Sequence, residues 1–281
     1  MSTDRPGHSS IQNASRFLGR GQPGKTGGTS WPAPQARRPL GVAHRGASKE
    51  APENTLAAFR LALRLGAEAV ECDARRTRDG QVVVIHDGEV DRTTDGRGPV
   101  ESHTLSEIRG LDAGRWFGAE FAGERIPLLT EVLEAARGKA LVKLEIKNDP
   151  VPYEGIERQI VDIVRGLGME DEVFVMSFDH ECVRAVRALA PRLATGILYA
   201  GRLVDAPHAA QAAGADALCV HRGYVSPRDV DRAHAAGLAF FVWTVDDEDT
   251  LRRCAAWGVD GVTSNDTRLM LRVLGKARSG T

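Results

Sequence analysis

Residues 69–86 read AVECDARRTRDGQVVVIH, and this stretch decides which fold the chain can adopt. It contains two strand candidates, 69–74 and 81–86, with Thr77-Arg78-Asp79-Gly80 in the short connection between them. A crossover between parallel strands needs about a dozen residues or more, so these segments must form an antiparallel hairpin that turns at Asp79-Gly80. The second segment is therefore the return arm of a hairpin and does not count as a separate repeat unit.

From residue 40 onward, short apolar runs alternate with helical segments rich in Ala, Leu and Arg, which indicates repeated βα units. Without the return arm, eight strand candidates remain, at 41–45, 69–74, 140–147, 173–177, 194–198, 216–220, 239–244 and 259–263. Helical segments lie near 55–65, 130–137, 155–167, 179–189, 205–213, 227–236, 247–257 and 266–274. The sequence therefore predicts an α/β fold, a TIM (β/α)8 barrel with a β-hairpin extension and a short insertion, 88–127, after strand 2.

Composition excludes several classes of protein. The 281 residues carry 37 Lys and Arg against 38 Asp and Glu, a net charge of −1, which disfavours a nucleic-acid or anionic-membrane partner. No apolar run has the length of a membrane span, and the N-terminus lacks the apolar core of a signal peptide. The four cysteines form no C-x-x-C pair, so neither a zinc site nor a disulfide framework is predicted. We expect a cytoplasmic protein without a stable membrane anchor.

The domain limits follow from the distribution of Gly and Pro. These residues are frequent in 1–39, for which we predict a disordered tail, followed by a barrel domain over 40–275 and a C-terminal tail over 276–281. Gly19–Thr26 matches the phosphate-loop pattern G-x-x-x-x-G-K-[ST]. The neighbouring segments cannot form the buried strand and the helix that such a loop requires, so we interpret this match as coincidental.

Acidic residues mark a candidate metal site. Catalytic groups of a TIM barrel lie at the carboxyl ends of its strands, where alternation puts Glu71 and Asp73 on one face of strand 2 and Glu145 on the inward face of the next strand. Three inward carboxylates provide the oxygen ligands that a hard cation such as Mg²⁺ or Ca²⁺ prefers. The same residues allow an alternative, a salt-bridge network with Lys147, Lys143 and Arg75.

Two histidines approach this cluster in the predicted barrel. His44 ends strand 1, and a hairpin register centred on Asp79-Gly80 brings His86 opposite Asp73. Two imidazoles beside one cation form a base and an acid suited to a reaction at phosphorus. The residues leave open which histidine is the base, and whether water or a neighbouring hydroxyl attacks.

Nine short motifs follow one another over residues 40–265. They are His44-Arg45-Gly46, Pro52-Glu53-Asn54-Thr55, Glu71-x-Asp73, His86-Asp87, Arg92-Thr93-Thr94, Ile126-Pro127-x-Leu129, Glu145-Ile146-Lys147, Ser177-Phe178 and Trp243-Thr244-Val245. In this order they resemble the signature of the glycerophosphodiester phosphodiesterase family.

The resemblance implies a metal-dependent barrel that hydrolyses glycerophosphodiesters, which are small molecules, to sn-glycerol 3-phosphate and an alcohol. It implies His44 and His86 as the acid/base pair and Glu71, Asp73 and Glu145 as metal ligands. Two alternatives remain: a lysophospholipase D type reaction on lipid substrates, which an exposed apolar rim around the pocket would favour, and a catalytically inactive binding barrel.

Supporting roles are predicted for four further residues. We expect Arg45 to hold the substrate phosphate, with an ion pair to Glu53 as an alternative that is compatible with this role. Glu53 is expected to point into the mouth of the barrel, as a carboxylate beside the metal or behind its ligands. Lys147 suits a substrate oxygen or a ligand carboxylate. Trp243 belongs either to the core or to a flat wall for glycerol carbons. Asn54 is expected only to cap the helix that follows it.

Two positions depart from the family pattern. Asp266 is displaced from the place after the last strand where family members usually carry an Asp. Lys143 stands where a small polar residue is usual, and we expect its charge to neutralise part of the carboxylate cluster and to weaken metal binding.

Overall fold

A computed structural model describes residues 38–149 and 152–276. The predicted tails, and with them the phosphate-loop match at Gly19–Thr26, lie outside these residues except at 38, 39 and 276. In the part of the chain that is described, no helix has the length and apolar character needed to cross a membrane.

The described residues form nine strands in one sheet. They are β1 (Leu40–Ala43), β2 (Ala69–Arg76), β3 (Val82–Val84), β4 (Leu141–Ile146), β5 (Val173–Ser177), β6 (Ala194–Tyr199), β7 (Ala217–His221), β8 (Ala239–Trp243) and β9 (Gly261–Ser264). Eight of them are parallel in the order β1-β9-β8-β7-β6-β5-β4-β2, and pairing of β1 with β2 closes the barrel. The predicted TIM barrel is confirmed, with β3 as the antiparallel extension on β2.

Nine α-helices occur in the same residues. They are α1 (Leu56–Leu65), α2 (Leu105–Gly110), α3 (Leu129–Ala136), α4 (Ile156–Gly166), α5 (His180–Leu189), α6 (Ala206–Ala212), α7 (Pro227–Ala235), α8 (Glu248–Ala256) and α9 (Thr267–Val273). Eight correspond to the predicted barrel helices, and α2 is an additional helix inside the insertion. Several βα loops end in an aspartate whose carboxylate accepts hydrogen bonds from the first turn of the next helix, at Asp179, Asp205, Asp247 and Asp266.

The core has three parts. One apolar cluster fills the barrel interior and includes Phe174, Met176 and Phe241. A larger cluster lies between the strands and the surrounding helices, and a third lies beneath the insertion, around Val90 and Ile108. The inward faces of the strands are therefore apolar at depth, and their polar residues are confined mainly to the carboxyl ends.

The hairpin exists, but its predicted register is wrong by one residue. Ala74 pairs with Val84, and the amide of Ile85 donates to the carbonyl oxygen of Asp73 at 3.0 Å. Ile85, and not His86, therefore lies opposite Asp73. His86 follows immediately, beyond the last strand residue.

The turn explains this shift. Thr77 donates from its backbone N–H to the carbonyl of Gln81 at 2.9 Å, which leaves three residues in the loop instead of two. Gly80 has φ of 81°, the left-handed conformation that a three-residue hairpin loop with a bulge requires. Glycine adopts this conformation without the steric cost that a Cβ would add.

Candidate active site

Three carboxylates converge on the inward face of β2 and β4. The parallel register pairs Asp73 with Glu145, and Glu71 lies two residues earlier on the same face of β2. One oxygen from each residue lies within 4.8 Å of the other two, and all three side chains are buried. The structure thus brings together the three carboxylates that the sequence pattern selected.

Two cations contact these carboxylates. The Lys147 Nζ lies 2.6 Å from Glu145 Oε1 and 3.2 Å from Asp73 Oδ1. Arg45 approaches from the loop after β1, with its Nε 3.3 Å from Asp73 Oδ2 and its backbone N–H donating to Glu71 Oε2 at 2.9 Å. For Lys147 the sequence predicts contact with a substrate oxygen or with a ligand carboxylate, and in the structure it contacts two of the three candidate ligands.

The alternative salt-bridge network is only partly formed. Arg75 donates to the backbone carbonyl of His86 at 2.8 Å and does not contact the acidic cluster. Lys143 pairs with Glu71 in the sheet register, but its Nζ lies 4.3 Å from the ring centre of Phe241 and 4.0 Å from Cys219 Sγ. Lys143 therefore has aromatic and thiol neighbours in the barrel interior and forms no ion pair with these carboxylates.

The electrostatics of the cluster favour an additional positive charge. Burial raises the pKa of Glu71, and the nearby charges of Asp73 and Glu145 raise it further. Burial also raises the pKa of Glu145 to about 7, although Lys147 opposes the rise. For Asp73, Lys147 and then Arg45 overcome the effect of burial and hold the pKa below its usual range.

Two oxygens in the cluster lack hydrogen bonds. Asp73 Oδ1 and Glu145 Oε1 are buried and accept none from the described residues, although Lys147 lies within ion-pair distance of both. Buried polar atoms without hydrogen bonds are rare in folded proteins, and here they belong to an all-oxygen donor set. These residues fit an oxygen-coordinated divalent cation.

His44 lies in the loop after β1, and its hydrogen bonds define its tautomer. Asp246 accepts from the Asn265 amide nitrogen Nδ2 at 2.7 Å, so the amide oxygen Oδ1 faces His44 Nδ1, also at 2.7 Å. The proton of neutral His44 is therefore on Nδ1, and Nε2 lies 3.8 Å from Glu71 Oε2. Burial, followed by the charge of Arg45, lowers the pKa of His44 to about 4.

His86 has a different partner. Its Nδ1 lies 2.7 Å from Asp87 Oδ1, and Arg92 donates to both oxygens of that carboxylate. The hydrogen bond from Arg92 is the main reason why the pKa of Asp87 is held well below its usual range, so Asp87 is an acceptor. His86 therefore donates from Nδ1, while burial lowers its own pKa.

Glu53 lies among the arginines. It accepts from Arg45 at 2.9 Å and from two nitrogens of Arg92, at 2.9 and 2.8 Å. The predicted pairing of Arg45 with Glu53 is present, and the Glu53 carboxylate connects the two guanidinium groups.

The expectation for Asn54 is wrong. Thr55 caps α1, because its side chain accepts from the backbone N–H of Ala58. Asn54 has φ of 58°, and its side-chain amide donates to Asp73 Oδ2 at 2.8 Å. Asn54 therefore orients a carboxylate of the acidic cluster.

Trp243 ends β8 and is half-buried. Its indole N–H donates to the backbone carbonyl of Cys219 at 3.1 Å, and its ring meets Phe178 edge-on with 5.6 Å between the ring centres. The ring lies above the apolar interior at the end of the barrel that carries the acidic cluster, a position compatible with both predicted roles.

Sequence reasoning missed Asn265, Asp246 and Arg92 as partners of the candidate catalytic residues. At the carboxyl end of β9, Asn265 contacts His44, whereas Asp266 caps α9 and pairs with Lys49. The available signal was position, because Asn265 directly follows β9, just as Arg45 lies close after β1. The order of residues alone does not show whether Asn265 or its neighbour Asp266 faces inward.

Comparisons with known proteins identify the family of the chain. The model of the glycerophosphoryl diester phosphodiesterase family matches residues 44–269. A glycerophosphodiester phosphodiesterase of Caldanaerobacter subterraneus subsp. tengcongensis is 43% identical over 240 residues, which cover 84% of this chain and 98% of that protein. A probable glycerophosphodiester phosphodiesterase 1 of Mycobacterium tuberculosis is 36% identical, with 80% and 88% covered.

Solved structures extend the similarity to the fold. A glycerophosphodiester phosphodiesterase of Agrobacterium tumefaciens has a TM-score of 0.74 at 34% identity and covers 83% of this chain and 99% of its own. An Oleispira antarctica phosphodiesterase in complex with the product sn-glycerol-3-phosphate has a TM-score of 0.77 at 30% identity, with 84% and 97% covered. The chain therefore belongs to the glycerophosphoryl diester phosphodiesterase family and is a phosphodiester hydrolase.

Proposed function

We propose that the chain hydrolyses glycerophosphodiesters to sn-glycerol 3-phosphate and an alcohol, using a divalent cation, Mg²⁺ or Ca²⁺, and two histidines. The observation that carries this proposal is the convergence of His44 with the buried carboxylates Glu71, Asp73 and Glu145. The sn-glycerol-3-phosphate bound by the Oleispira antarctica relative supports the choice of product.

Glu71, Asp73 and Glu145 would hold the cation. When bound, the cation would polarise the phosphoryl oxygens and offset the negative charge that develops during attack. Asn54 holds one oxygen of Asp73, and Lys147 contacts Asp73 and Glu145. These contacts restrict the carboxylates to one arrangement before substrate arrives.

The partners of the two histidines favour different roles. Asn265 is a neutral amide that keeps the Nδ1 proton on His44 and leaves Nε2 as an acceptor, which suits a general base. Asp87 is a carboxylate, and it stabilises the protonated imidazolium of His86, which suits a general acid. We therefore assign removal of a proton from the attacking oxygen to His44, and protonation of the leaving alkoxide to His86.

Arg45 and Trp243 would position the substrate. The Arg45 guanidinium pairs with Glu53 and Asp73, and its Nε has no hydrogen bond to the described residues. The Arg45 side chain is 17% exposed and a guanidinium has five N–H donors, so those that do not contact the carboxylates are suited to a phosphoryl oxygen. The indole of Trp243 would cover the glycerol carbons.

The remaining expectations belong to the same proposal. The catalytic unit would be residues 40–275 without a contribution from the tails, acting in the cytoplasm on a small-molecule substrate. Free, buried side chains at all four cysteines support a reducing compartment.

Metal removal tests the proposal directly. The chelator-treated enzyme should not release sn-glycerol 3-phosphate from glycerophosphocholine, and Mg²⁺ or Ca²⁺ should restore the release. Calorimetric titration with Mg²⁺ should show binding to the chain and a loss of binding in Glu145→Gln. The exposed Glu181→Gln is the matched control and should bind Mg²⁺ normally. Full turnover in excess chelator would contradict the metal site.

A further inference from the structure

Three aromatic side chains cover the barrel interior at the end that carries the candidate active site. They are Phe178 after β5, His221 at the end of β7 and Trp243 at the end of β8, and we call them the aromatic layer. The Trp243 ring centre lies 5.6 Å from that of Phe178 and 5.0 Å from that of His221, and both contacts are edge-on. An imidazole therefore lies directly beside the indole for which a contact with glycerol carbons is proposed above.

His221 lies across the mouth of the barrel from the acidic cluster. Alternation along β7 turns it inward, because Cys219 and Ala217, two and four residues earlier, belong to the apolar interior. In the closed order of the parallel strands, β7 is equally far from β2 by way of β8, β9 and β1 and by way of β6, β5 and β4. His221 therefore ends the strand opposite the one that carries Glu71 and Asp73.

The loop after β7 fixes the tautomer of His221. The backbone N–H of Gly223 donates to His221 Nδ1 at 3.2 Å, so the proton of the neutral imidazole is on Nε2. A Cβ at position 223 would lie 3.3 Å from Nδ1, and the absence of a side chain on Gly223 allows this close approach. The Nε2–H forms no hydrogen bond with the part of the chain that is described.

A purely structural role accounts for only one of the two ring nitrogens. The hydrogen bond from Gly223 caps the short turn at Arg222–Tyr224, and it uses Nδ1 alone. The other N–H of the aromatic layer is not free, since the indole of Trp243 already donates to the carbonyl oxygen of Cys219 at 3.1 Å. Within the aromatic layer, the Nε2–H of His221 is therefore the donor that remains for a ligand.

We propose that His221 donates from Nε2 to the terminal hydroxyl of the substrate glycerol, and that this contact makes the enzyme prefer glycerol esters over esters of alcohols without that hydroxyl. The proposal rests on the proposed function, in which the acidic cluster and its cation hold the phosphate at the opposite side of the mouth. The glycerol then extends from phosphorus across the mouth, with its carbons against Trp243. Its hydroxyl furthest from phosphorus reaches the side formed by β7.

The chemistry of the two partners matches. Glycerol presents an edge of carbon atoms and hydroxyl groups, and the aromatic layer presents ring surfaces with one available N–H. A hydroxyl that leaves water without finding a new partner loses a hydrogen bond, and a donor in the site that meets no hydroxyl loses one as well. A donor at this point therefore favours substrates that carry the hydroxyl over analogues that lack it.

Deleting the hydroxyl from the substrate and the donor from the enzyme tests the contact from both sides. Wild type and His221→Phe are compared on glycerophosphocholine and on its 1-deoxy analogue, propane-1,2-diol phosphocholine, with choline release as the readout. In the wild type, loss of the hydroxyl should lower kcat/KM about tenfold, the size expected for one hydrogen bond. His221→Phe should lose about tenfold on glycerophosphocholine and should stay within about twofold of wild type on the analogue.

Further variants separate the hydrogen bond from packing. His221→Phe keeps a ring against Trp243, and a loss caused by packing would affect both substrates equally. His221→Gln restores an N–H donor and should prefer glycerophosphocholine over the analogue by at least about threefold. His208→Phe is the matched control, because His208 is exposed on α6, and it should keep the wild-type rates on both substrates.

The outcomes distinguish this contact from the proposed function. Equal kcat/KM for the two substrates in the wild type, or an equal loss on both in His221→Phe, would overturn the contact while hydrolysis of glycerophosphocholine supports the proposed function. Absence of hydrolysis for both substrates in the presence of metal would instead contradict the proposed function. Thermal melting checks the fold of each variant, and the wild-type comparison tests the contact without any variant.

Discussion

His44 and His86 contact the same site but have different surroundings. His44 is the more buried, with 16% of its side chain exposed, and its Nδ1 hydrogen-bonds to a neutral amide. His86 has 31% of its side chain exposed, and its Nδ1 hydrogen-bonds to a carboxylate that Arg92 keeps ionised. Burial lowers the pKa of both histidines, but the carboxylate beside His86 favours its imidazolium more than the neutral amide beside His44 does. Under the proposed function, this difference in partners would give the two imidazoles different roles.

Removing each imidazole gives the largest expected effect. His44→Ala and His86→Ala should each lose about 10² to 10⁴ in kcat on glycerophosphocholine, because a positioned base or acid contributes that much. On a glycerol phosphodiester of 4-nitrophenol, whose leaving group needs no protonation, His86→Ala should return to within about tenfold of wild type. His44→Ala should remain impaired on that substrate.

The double variant that combines His44→Ala and His86→Ala is the control for this experiment. Its loss should be much smaller than the product of the two single losses, because base and acid act in one step. Rescue of His44→Ala and not of His86→Ala by the nitrophenol ester would reverse the two assignments.

Replacing the hydrogen-bond partners of the two histidines should have an intermediate effect on kcat. Asn265→Leu and Asp87→Asn should each reduce kcat by about ten- to a hundredfold on glycerophosphocholine, because each histidine loses its orientation or its charge partner. The nitrophenol ester should remove the defect of Asp87→Asn and leave that of Asn265→Leu. Ser48→Ala is the matched control, since Ser48 also donates to Asn265 Oδ1, at 3.1 Å, but does not contact His44.

A third histidine, His234, lies outside the site, and its replacement should have a smaller effect, on stability and not on kcat. His234 lies 2.8 Å from Asp260 at the amino end of the barrel, and this hydrogen bond raises the pKa of His234 above 6.5. The resulting stabilisation is fully present below about pH 6.5 and is lost as the pH rises through the raised pKa. His234→Gln should lower the unfolding free energy by less than about 1 kcal/mol at pH 5.5, and by less at pH 8.5.

Urea unfolding at the two pH values measures this difference, and kcat should be unchanged. A stability loss that is equal at both pH values would show that packing, and not the ion pair, accounts for the effect.

Deleting residues 1–39 should have the smallest effect. The segment is predicted to lack the strand and helix that aim backbone N–H groups at a phosphate. Phosphodiesterase activity and thermal stability should therefore be nearly unchanged, and calorimetry with Mg-ATP should show no heat that depends on the segment. Micromolar nucleotide binding that disappears on truncation would contradict this interpretation.

The hairpin shows what a local sequence pattern can predict and what it cannot. Its existence followed from the short connection between the two strand candidates, because no parallel crossover is that short. Its register depended on whether Gly80 occupies a two-residue or a three-residue turn, and both are compatible with Asp79-Gly80. In the structure, Ile85 occupies the position predicted for His86. His86 lies one residue further along the chain and approaches the site from the loop after β3.

Asn54 and Asn265 show a different limit. Asn54 immediately precedes a helix, where capping is the usual role, but Thr55 takes that role and Asn54 reaches Asp73 on a strand 19 residues away. Asn265 reaches His44 across a separation of 221 residues. The first contact requires that β1 and β2 lie side by side, and the second requires that the first strand pairs with the last, β9.

The sequence by itself determined the barrel, the alternation that turns Glu71, Asp73 and Glu145 inward, and the presence of two histidines at strand ends. These features depend on short-range periodicity and on topology, which the order of residues encodes directly. The register of the hairpin, the partners of each histidine and the position of Lys143 against Phe241 were decided only by the tertiary structure. They depend on which side chains from distant strands meet when the sheet closes, and local preferences do not specify that arrangement.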